Sequence, residues 1–312
     1  MHAVKNIINN AISSKGNGKS ILIVNENNAD YLKGFAQLYD HEFYICPNTK
    51  SPAWDKSPLP HNFKMARSLS HINKIDLIIC FGRGEGFDEA KKISIYQHVP
   101  LIVIDSCGAG TMSPHPFSAS LVNKDFNHYA RKNGDVNVAI HESVQNSWMP
   151  HSKGLSLTIP PMVNRIARVS QKNPKFQIAV EPFPQGYFQS LNLQVGSNAE
   201  LTTDMSNADI FLNLWTHITT PVLQAMAFGT PVVTMTSQDE YVKYLSENQC
   251  CIVINEIRDI ANNSFAEEIL KLHEKYDMTK KALEATSENQ TQFVSDWNSI
   301  IDYSTNKCYI RN

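Results

Sequence analysis

The run Asn207–Met235, NADIFLNLWTHITTPVLQAMAFGTPVVTM, holds the residues whose types and spacing best suit chemistry. It reads as a buried strand over Ile210–Leu214, a polar turn, a helix with small residues on one side, and a second buried strand over Pro231–Met235. Thr219 and Thr220 are cap candidates, and Pro221 falls at a first-turn position where its missing N–H costs nothing. Ala225, Met226, Ala227 and Gly229 let such a helix lie close against a sheet. A strand feeding a helix N-terminus brings together unpaired N–H groups and the positive end of the helix dipole, which makes a ready anion site. His217 stands at the strand exit, where it would contact a phosphate or a sugar; as a plain surface histidine it would do nothing. From spacing alone, the run is an ordinary βαβ unit of any α/β protein.

Other candidates end strands further up the chain. Asp105 closes the apolar run Leu101–Ile104, and at a strand end facing a cleft it suits a base that deprotonates an acceptor hydroxyl. His141 and Glu142 end another run and are second candidates for that role. The plain alternative for each is a turn or helix cap.

The elements that must position these residues alternate as short apolar runs and helical patterns, the sequence form of a parallel sheet covered on both faces. Ile21–Val24, Glu42–Ile45, Leu77–Phe81, Leu101–Asp105 and Val136–Ile140 are strand candidates of a first domain, with helices near Ala29–Leu38, Glu85–Gln97 and Glu142–Trp148. Ile178–Val180, Leu191–Val195, Ile210–Leu214, Val232–Met235 and Cys251–Ile254 are strands of a second. Loops are expected at Ser51–Asn62 and Ser106–Ser118, both rich in Pro or Gly. Ser264-Phe-Ala-Glu267 is a capping-box pattern, and Phe293, Trp297 and Ile300 fall at helical spacing in a final helix.

A length of 312 residues suits two domains, each able to bury its own core. A net charge of −2 gives no bulk attraction to nucleic acid or acidic membranes. No apolar run approaches a membrane span, and the N-terminus lacks a long apolar core or cleavage site. The six cysteines include no CxxC pair, which reads as reduced thiols in a cytoplasmic protein, without a disulfide framework or a zinc site.

The segment Asn207–Met235 resembles the donor-site signature of nucleotide-sugar glycosyltransferases of the two-domain GT-B fold. In the retaining Glu-x7-Glu type, a strand ends in a glutamate, and a second glutamate after seven intervening residues opens an Ala-Met-Ala-x-Gly-x-Pro-Val-Val run. Ala225–Val233 matches that run, while the glutamate positions fall on Thr216 and Gln224. Val136–Asn164 is also similar to the family: Ser143 occupies its serine position and Ile159-Pro160-Pro161 its proline-rich crossover. The resemblance implies two doubly wound Rossmann-like α/β domains facing a cleft. The N-terminal, acceptor-side domain would span 1–162, the nucleotide-sugar-binding domain 163–290, and a closing helix over 291–312 would return to the first. It also implies basic residues against the donor diphosphate, for which Arg165, Arg168 and Lys172 are the ones at hand.

The implied activity is transfer of a hexosyl or pentosyl group from a nucleoside-diphosphate sugar, a co-substrate and not a cofactor, to a hydroxyl of a glycan or small molecule. The helix beginning near Thr219-Thr220 would hold the departing diphosphate with no obligatory metal. Gln224 would accept from the ribose hydroxyls through its carbonyl oxygen, and Thr216 would leave room for a smaller or differently held sugar. Three readings stay open beside this one. A DNA glycosyltransferase of the phage type, acting on hydroxymethylated bases, would use a stripe of Arg67, Arg83, Arg131, Lys132 and Lys153. A degenerate nucleotide-sugar binder would follow from loss of both glutamates. A NAD-binding oxidoreductase would follow from Gly82-Arg-Gly84-Glu-Gly86 and Asp105, although the third glycine of that fingerprint should fall at 87, which is Phe.

Overall fold

The computed structural model describes residues 18–24, 29–45, 58–84, 86–106, 126–163, 176–180, 199–214, 220–236, 240–255 and 278–308. The chain divides into two compact units, Met1–Met162 with Thr291–Asn312, and Val163–Gln290.

In the first unit the described elements run β1 (Ser20–Val24), α1 (Ala29–Gly34), β2 (Glu42–Ile45), β3 (Phe63–Met65), β4 (Leu77–Phe81), α2 (Phe87–Gln97), β5 (Leu101–Asp105), α3 (Phe126–Ala130), β6 (Val136–Ala139), α4 (Glu142–Trp148) and β7 (Leu155–Thr158). The second unit holds β8 (Phe176–Ala179), β9 (Ala199–Thr202), β10 (Ile210–Asn213), α5 (Thr220–Phe228), β11 (Val232–Met235), α6 (Glu240–Glu247) and β12 (Cys251–Ile254). The last helix, α7 (Met278–Cys308), supplies residues to both units.

The first sheet has the order β3-β2-β1-β4-β5-β6-β7 and the second β12-β11-β10-β8-β9, and every pairing in both is parallel. Parallel sheets carry helices on their faces, so their strands read as nearly unbroken apolar runs. β4 (LIICF) and β5 (LIVID) are buried along their whole length, and so is β10 (IFLN). The order reverses between β1 and β4 in the first sheet and between β8 and β10 in the second. Open α/β sheets hold ligands at such a reversal, outside the carboxyl ends of the strands.

Most of the strand expectations fall on observed strands, with shifts at the ends. β8 begins earlier than Ile178, and β6 ends at Ala139. β3 and β9 were not foreseen: β3 is three residues long with Lys64 and Met65 exposed, and β9 carries Glu200 on a four-residue run. Edge strands of this kind lack the apolar signature that marks a buried one. The helix expected over Ala29–Leu38 ends at Gly34 and tightens into a 3-10 turn over Phe35–Gln37. The strand expected at Leu191–Val195, the Ser264 helix and most of the two Pro- or Gly-rich loops lie outside the described residues.

The first core is built around an aromatic cluster. Trp297 of α7 meets Phe35 edge-on with ring centroids 4.7 Å apart, and Phe35 stacks on Phe43 at 5.3 Å. Such offset and edge contacts add stability beyond area burial. The Trp297 indole N–H donates to the Tyr31 hydroxyl at 3.3 Å, which donates in turn to the Ile159 carbonyl at 2.8 Å. Phe293, Ile300 and Ile301 join this core, whereas Ala282 and Ala285, earlier on α7, pack in the core of the second unit.

Three helices stop by the same device, in which the residue after the helix turns left-handed and the last carbonyls are capped by following N–H groups. After α2, His98 (φ 53°) donates to the Ile95 carbonyl and Val99 to Ser94. After α6, Gln249 (φ 59°) donates to Ser246 and Cys250 to Leu245. Only α5 places a glycine there. A side chain in this conformation costs about 1 kcal/mol. Gln249→Gly should therefore raise stability by about that amount in chemical denaturation. A variant no more stable than wild type would contradict this.

His41 clamps the start of β1 to α7. Its Nδ1 accepts the Lys19 backbone N–H at 3.2 Å, so Nε2 carries the proton and donates to the Asn298 side-chain oxygen at 3.1 Å. Burial holds the imidazole below its ordinary range, against the opposing pull of Asn298, Asp302 and Asp40. The folded chain thus binds this proton more weakly than the unfolded one. Its contribution to stability is complete above the unfolded value of about 6.5 and is lost as the pH falls from there through the folded value. Wild type should lose more stability than His41→Gln between pH 7.5 and pH 5 (roughly the titration range of the imidazole), as read by urea unfolding. Parallel losses would remove His41 from the account.

Candidate functional site

In the second unit, α5 opens at Thr220, beyond the carboxyl end of β10 and beside the reversal of the sheet. Val222, Leu223, Ala225, Met226 and Ala227 are buried against the sheet. Thr220 and Gln224 are half-buried and one turn apart, and residues at that spacing share a helix side. No acidic residue lies in the first turn of α5, so the turn itself sets no negative charge against its N–H groups and dipole.

The far end of α5 explains the Phe228-Gly-Thr-Pro231 sequence. Gly229 (φ 76°) donates its N–H to Met226, and Thr230 donates its own to Ala225. The Thr230 hydroxyl donates to the Met205 carbonyl at 2.8 Å, and β11 begins two residues later. The helix is thereby fixed at its C-terminal end, which sets where its N-terminus points.

A buried polar pair lies at the same sheet edge. Asn213, the last residue of β10, stands opposite Thr234 of β11, and its Nδ2 donates to the Thr234 hydroxyl at 3.0 Å. Both side chains are buried within an otherwise apolar core. Thr216, His217, Thr219, Arg165, Arg168 and Lys172 lie outside the described residues, so the structure places only Thr220 and Gln224 of the donor candidates.

In the first unit the expected base, Asp105, is otherwise engaged. It is 4% exposed, and its two carboxylate oxygens accept from Arg83 Nε at 2.9 Å and Nη2 at 2.7 Å. Arg83 also donates from Nη1 to Asn133 at 3.1 Å and lies 4.1 Å over the Trp148 ring. Burial pushes the Asp105 carboxyl above its ordinary range while the bonds from Arg83 hold it back. Each oxygen of a carboxylate bridged in this way keeps one further lone pair, and at this degree of burial Asp105 is reached by solvent only slightly. His141 and Glu142 follow β6, the neighbouring strand, where Ile140 donates its N–H to the Asp105 carbonyl at 3.1 Å. His141 is extended and accepts the Gln145 N–H through its carbonyl, while Glu142 opens α4, and both are half-buried.

The structure does not favour a dinucleotide site at the glycine motif after β4. Phe87 is buried where its third glycine should be, and Asp88 and Glu89 open α2 and would repel a pyrophosphate. Asp105, the acidic residue of that fingerprint, is bound on both oxygens by Arg83. Two of the five residues of the basic stripe suggested for DNA are taken up within the fold, while Arg67, Arg131 and Lys153 are exposed. Arg83 is buried on Asp105, and Lys132 is buried with its ammonium 2.9 Å from Asp88.

Among the described residues no group of His, Cys, Asp and Glu is arranged to hold a metal ion, and no helix is long and apolar enough to cross a membrane. Cys80, Cys250 and Cys251 are buried thiols, and burial pushes Cys80 and Cys251 up to about 12. A surface hollow of about 450 Å³, bordered by Gln249, Lys281 and Glu284, lies at the amino end of β12, away from the carboxyl edge that carries α5.

No protein-family model and no curated protein sequence matches the chain. Solved structures do. HepE from Anabaena in complex with UDP superposes with a TM-score of 0.62 at 10% identity, covering 92% of this chain and 100% of that one. The same protein with UDP and glucose gives 0.59, at 10% identity over 91% of this chain and 99% of that one. Sucrose-phosphate synthase from Thermosynechococcus elongatus gives 0.57 at 11% identity, over 94% of this chain and 98% of that one. The chain has the GT-B fold of the nucleotide-sugar glycosyltransferases.

The polar pair gives a direct check on the donor edge. Thr234→Val keeps the shape but leaves the Asn213 amide buried without this acceptor, and should cost about 1–3 kcal/mol in chemical denaturation. A loss below about 0.5 kcal/mol, the low end for a single hydrogen bond, would show that the pair is not holding the edge.

Proposed function

We propose that this chain is a glycosyltransferase that moves a sugar from a nucleoside-diphosphate sugar to a hydroxyl of a glycan or small molecule. The observation that carries the proposal is the start of α5. It is a helix N-terminus free of acidic residues, beside a sheet reversal, with Thr220 and Gln224 on one side, in a fold shared with a protein solved bound to UDP. The competing helix start, at α2, carries Asp88 and Glu89 and is unsuited to a diphosphate.

Glycosyl transfer builds positive charge on the anomeric carbon and negative charge on the departing diphosphate. The N–H groups of the first turn of α5 meet that negative charge without reorganising, which is where fixed dipoles act most strongly. Arg165, Arg168 and Lys172 add positive charge at the diphosphate, with Thr219 and Thr220 capping the helix. His217 and Thr216 adjoin the sugar. Gln224 accepts from the ribose through a neutral bond, weaker than the charge-assisted bond of a glutamate. This arrangement does not route the reaction through a metal. His141 or Glu142 takes the acceptor proton in an inverting reaction, and a retaining reaction needs no such base. Buried reduced thiols at Cys80, Cys250 and Cys251 suit a cytoplasmic setting.

A screen of nucleoside-diphosphate sugars, read by release of the nucleoside diphosphate, tests the activity. Turnover of at least one donor is expected; binding without release by any donor would make the chain a degenerate binder. With the best donor, Gln224→Glu should keep or tighten binding and Gln224→Ala should weaken it by about 1–3 kcal/mol. Thr220→Glu should abolish donor binding by setting an anion against an anion. Identical binding curves for wild type and these variants would remove the nucleotide from this site.

A further inference from the structure

The turn Gly82-Arg83-Gly84 leaves β4 where the first sheet reverses its order, so it occupies the ligand-holding position of the first unit. Its arginine points inward. The Arg83 side chain is 2% exposed, and its fork closes on Asp105 at the end of β5. The remaining contacts go to Asn133, in the turn before β6, and to the face of Trp148 in α4. Gly82 is left-handed (φ 78°), and its N–H donates to the Ile104 carbonyl at 2.8 Å. At Gly84, by contrast, a Cβ would meet nothing within 4 Å.

A buried ion pair is seldom worth more to stability than an apolar pair of the same volume, but it fixes geometry through directed bonds. Here those bonds tie one short turn to β5, to α4 and to the segment before β6. They also leave the guanidinium with no charge to offer a ligand. The turn therefore presents the Arg83 and Gly84 backbone beside open space at Gly84, while the Gly82 carbonyl accepts from the Cys80 thiol at 3.6 Å and the Gly84 carbonyl from the Phe87 N–H at 3.3 Å. The acidic start of α2 next to it disfavours an anion. The strand ends carrying His141 and Glu142 belong to the same sheet edge.

We infer that Arg83, held by Asp105, is a positioning residue that sets the Gly82–Gly84 turn as an acceptor-binding element, and that the acceptor it fits is an uncharged polyhydroxyl group such as a sugar ring. This rests on the reading of the chain as a glycosyltransferase.

The test uses the full chain, its best nucleotide-sugar donor and three probe acceptors: glycerol, p-nitrophenyl β-glucoside, and glucose 6-phosphate as the anionic control. Wild type is compared with Arg83→Lys, which keeps the charge but loses the fork. It is also compared with the double variant Arg83→Met/Asp105→Leu, which replaces the ion pair with apolar groups and should remain folded. Amide hydrogen exchange at Gly82–Gly84 should rise about tenfold in both variants with little change in melting temperature. The KM for the preferred neutral probe should rise about tenfold while that for the donor moves far less. Unchanged exchange in a folded variant, an unchanged acceptor KM, a preference for glucose 6-phosphate, or donor hydrolysis with no transfer to either neutral probe would each overturn the inference. A wild type that turns over no donor would overturn the glycosyltransferase reading instead, and the exchange measurement would still decide whether the pair holds the turn.

Discussion

Every strand pair in both sheets is parallel, and much of the molecule follows from that constraint. A parallel pair cannot be closed by a hairpin; the chain must cross back over a face of the sheet before the next strand can begin. Each sheet is thereby covered on its faces, which is why β4, β5 and β10 are buried throughout. The same crossing delivers every strand in one direction, so the segments leaving the carboxyl ends gather on a single edge. Thr220 and Gln224 follow one such end in the second unit, and Arg83, His141 and Glu142 follow others in the first.

Two buried polar pairs also lie at that edge. Arg83 with Asp105 closes β4 against β5, and Asn213 with Thr234 closes β10 against β11. Both pairs join adjacent strands at or next to their last residues, beside a reversal in strand order or one strand away from it. Apolar side chains would fill the same space, but they would not fix the direction in which the chain leaves the sheet. At the opposite edge, left-handed residues stop α2, α5 and α6 just ahead of β5, β11 and β12, and the carboxylates of Asp76, Asp135 and Asp209 accept N–H groups at the starts of β1, β5 and β8.

Long apolar strands and their order of alternation with helices were legible in the sequence because burial on both faces leaves an unbroken run of Val, Ile, Leu and Phe. β3 and β9 were not, since each is short and carries exposed polar side chains, and their positions depend on a neighbour supplying the hydrogen bonds. The helix and turn of Ala225–Val233 were readable because Gly229 and Pro231 have strict backbone requirements. The ion pair of Asp105 was not legible for a different reason. Its partner lies 22 residues away inside a glycine-rich turn, and no local spacing marks the two as a pair. An arginine between glycines after an all-apolar strand was the available signal, and it suggested a phosphate or DNA contact when the side chain in fact turns inward.

The central claim is that the second unit holds a nucleoside diphosphate at the N-terminus of α5. A crystal structure of the chain with UDP bound tests it most directly. The account predicts phosphate oxygens within hydrogen-bonding distance of the backbone N–H groups at the start of α5, with the ribose on the Gln224 side of the helix. UDP bound at the start of α2, or at the hollow beside Gln249 and Lys281, with the start of α5 unoccupied, would contradict it.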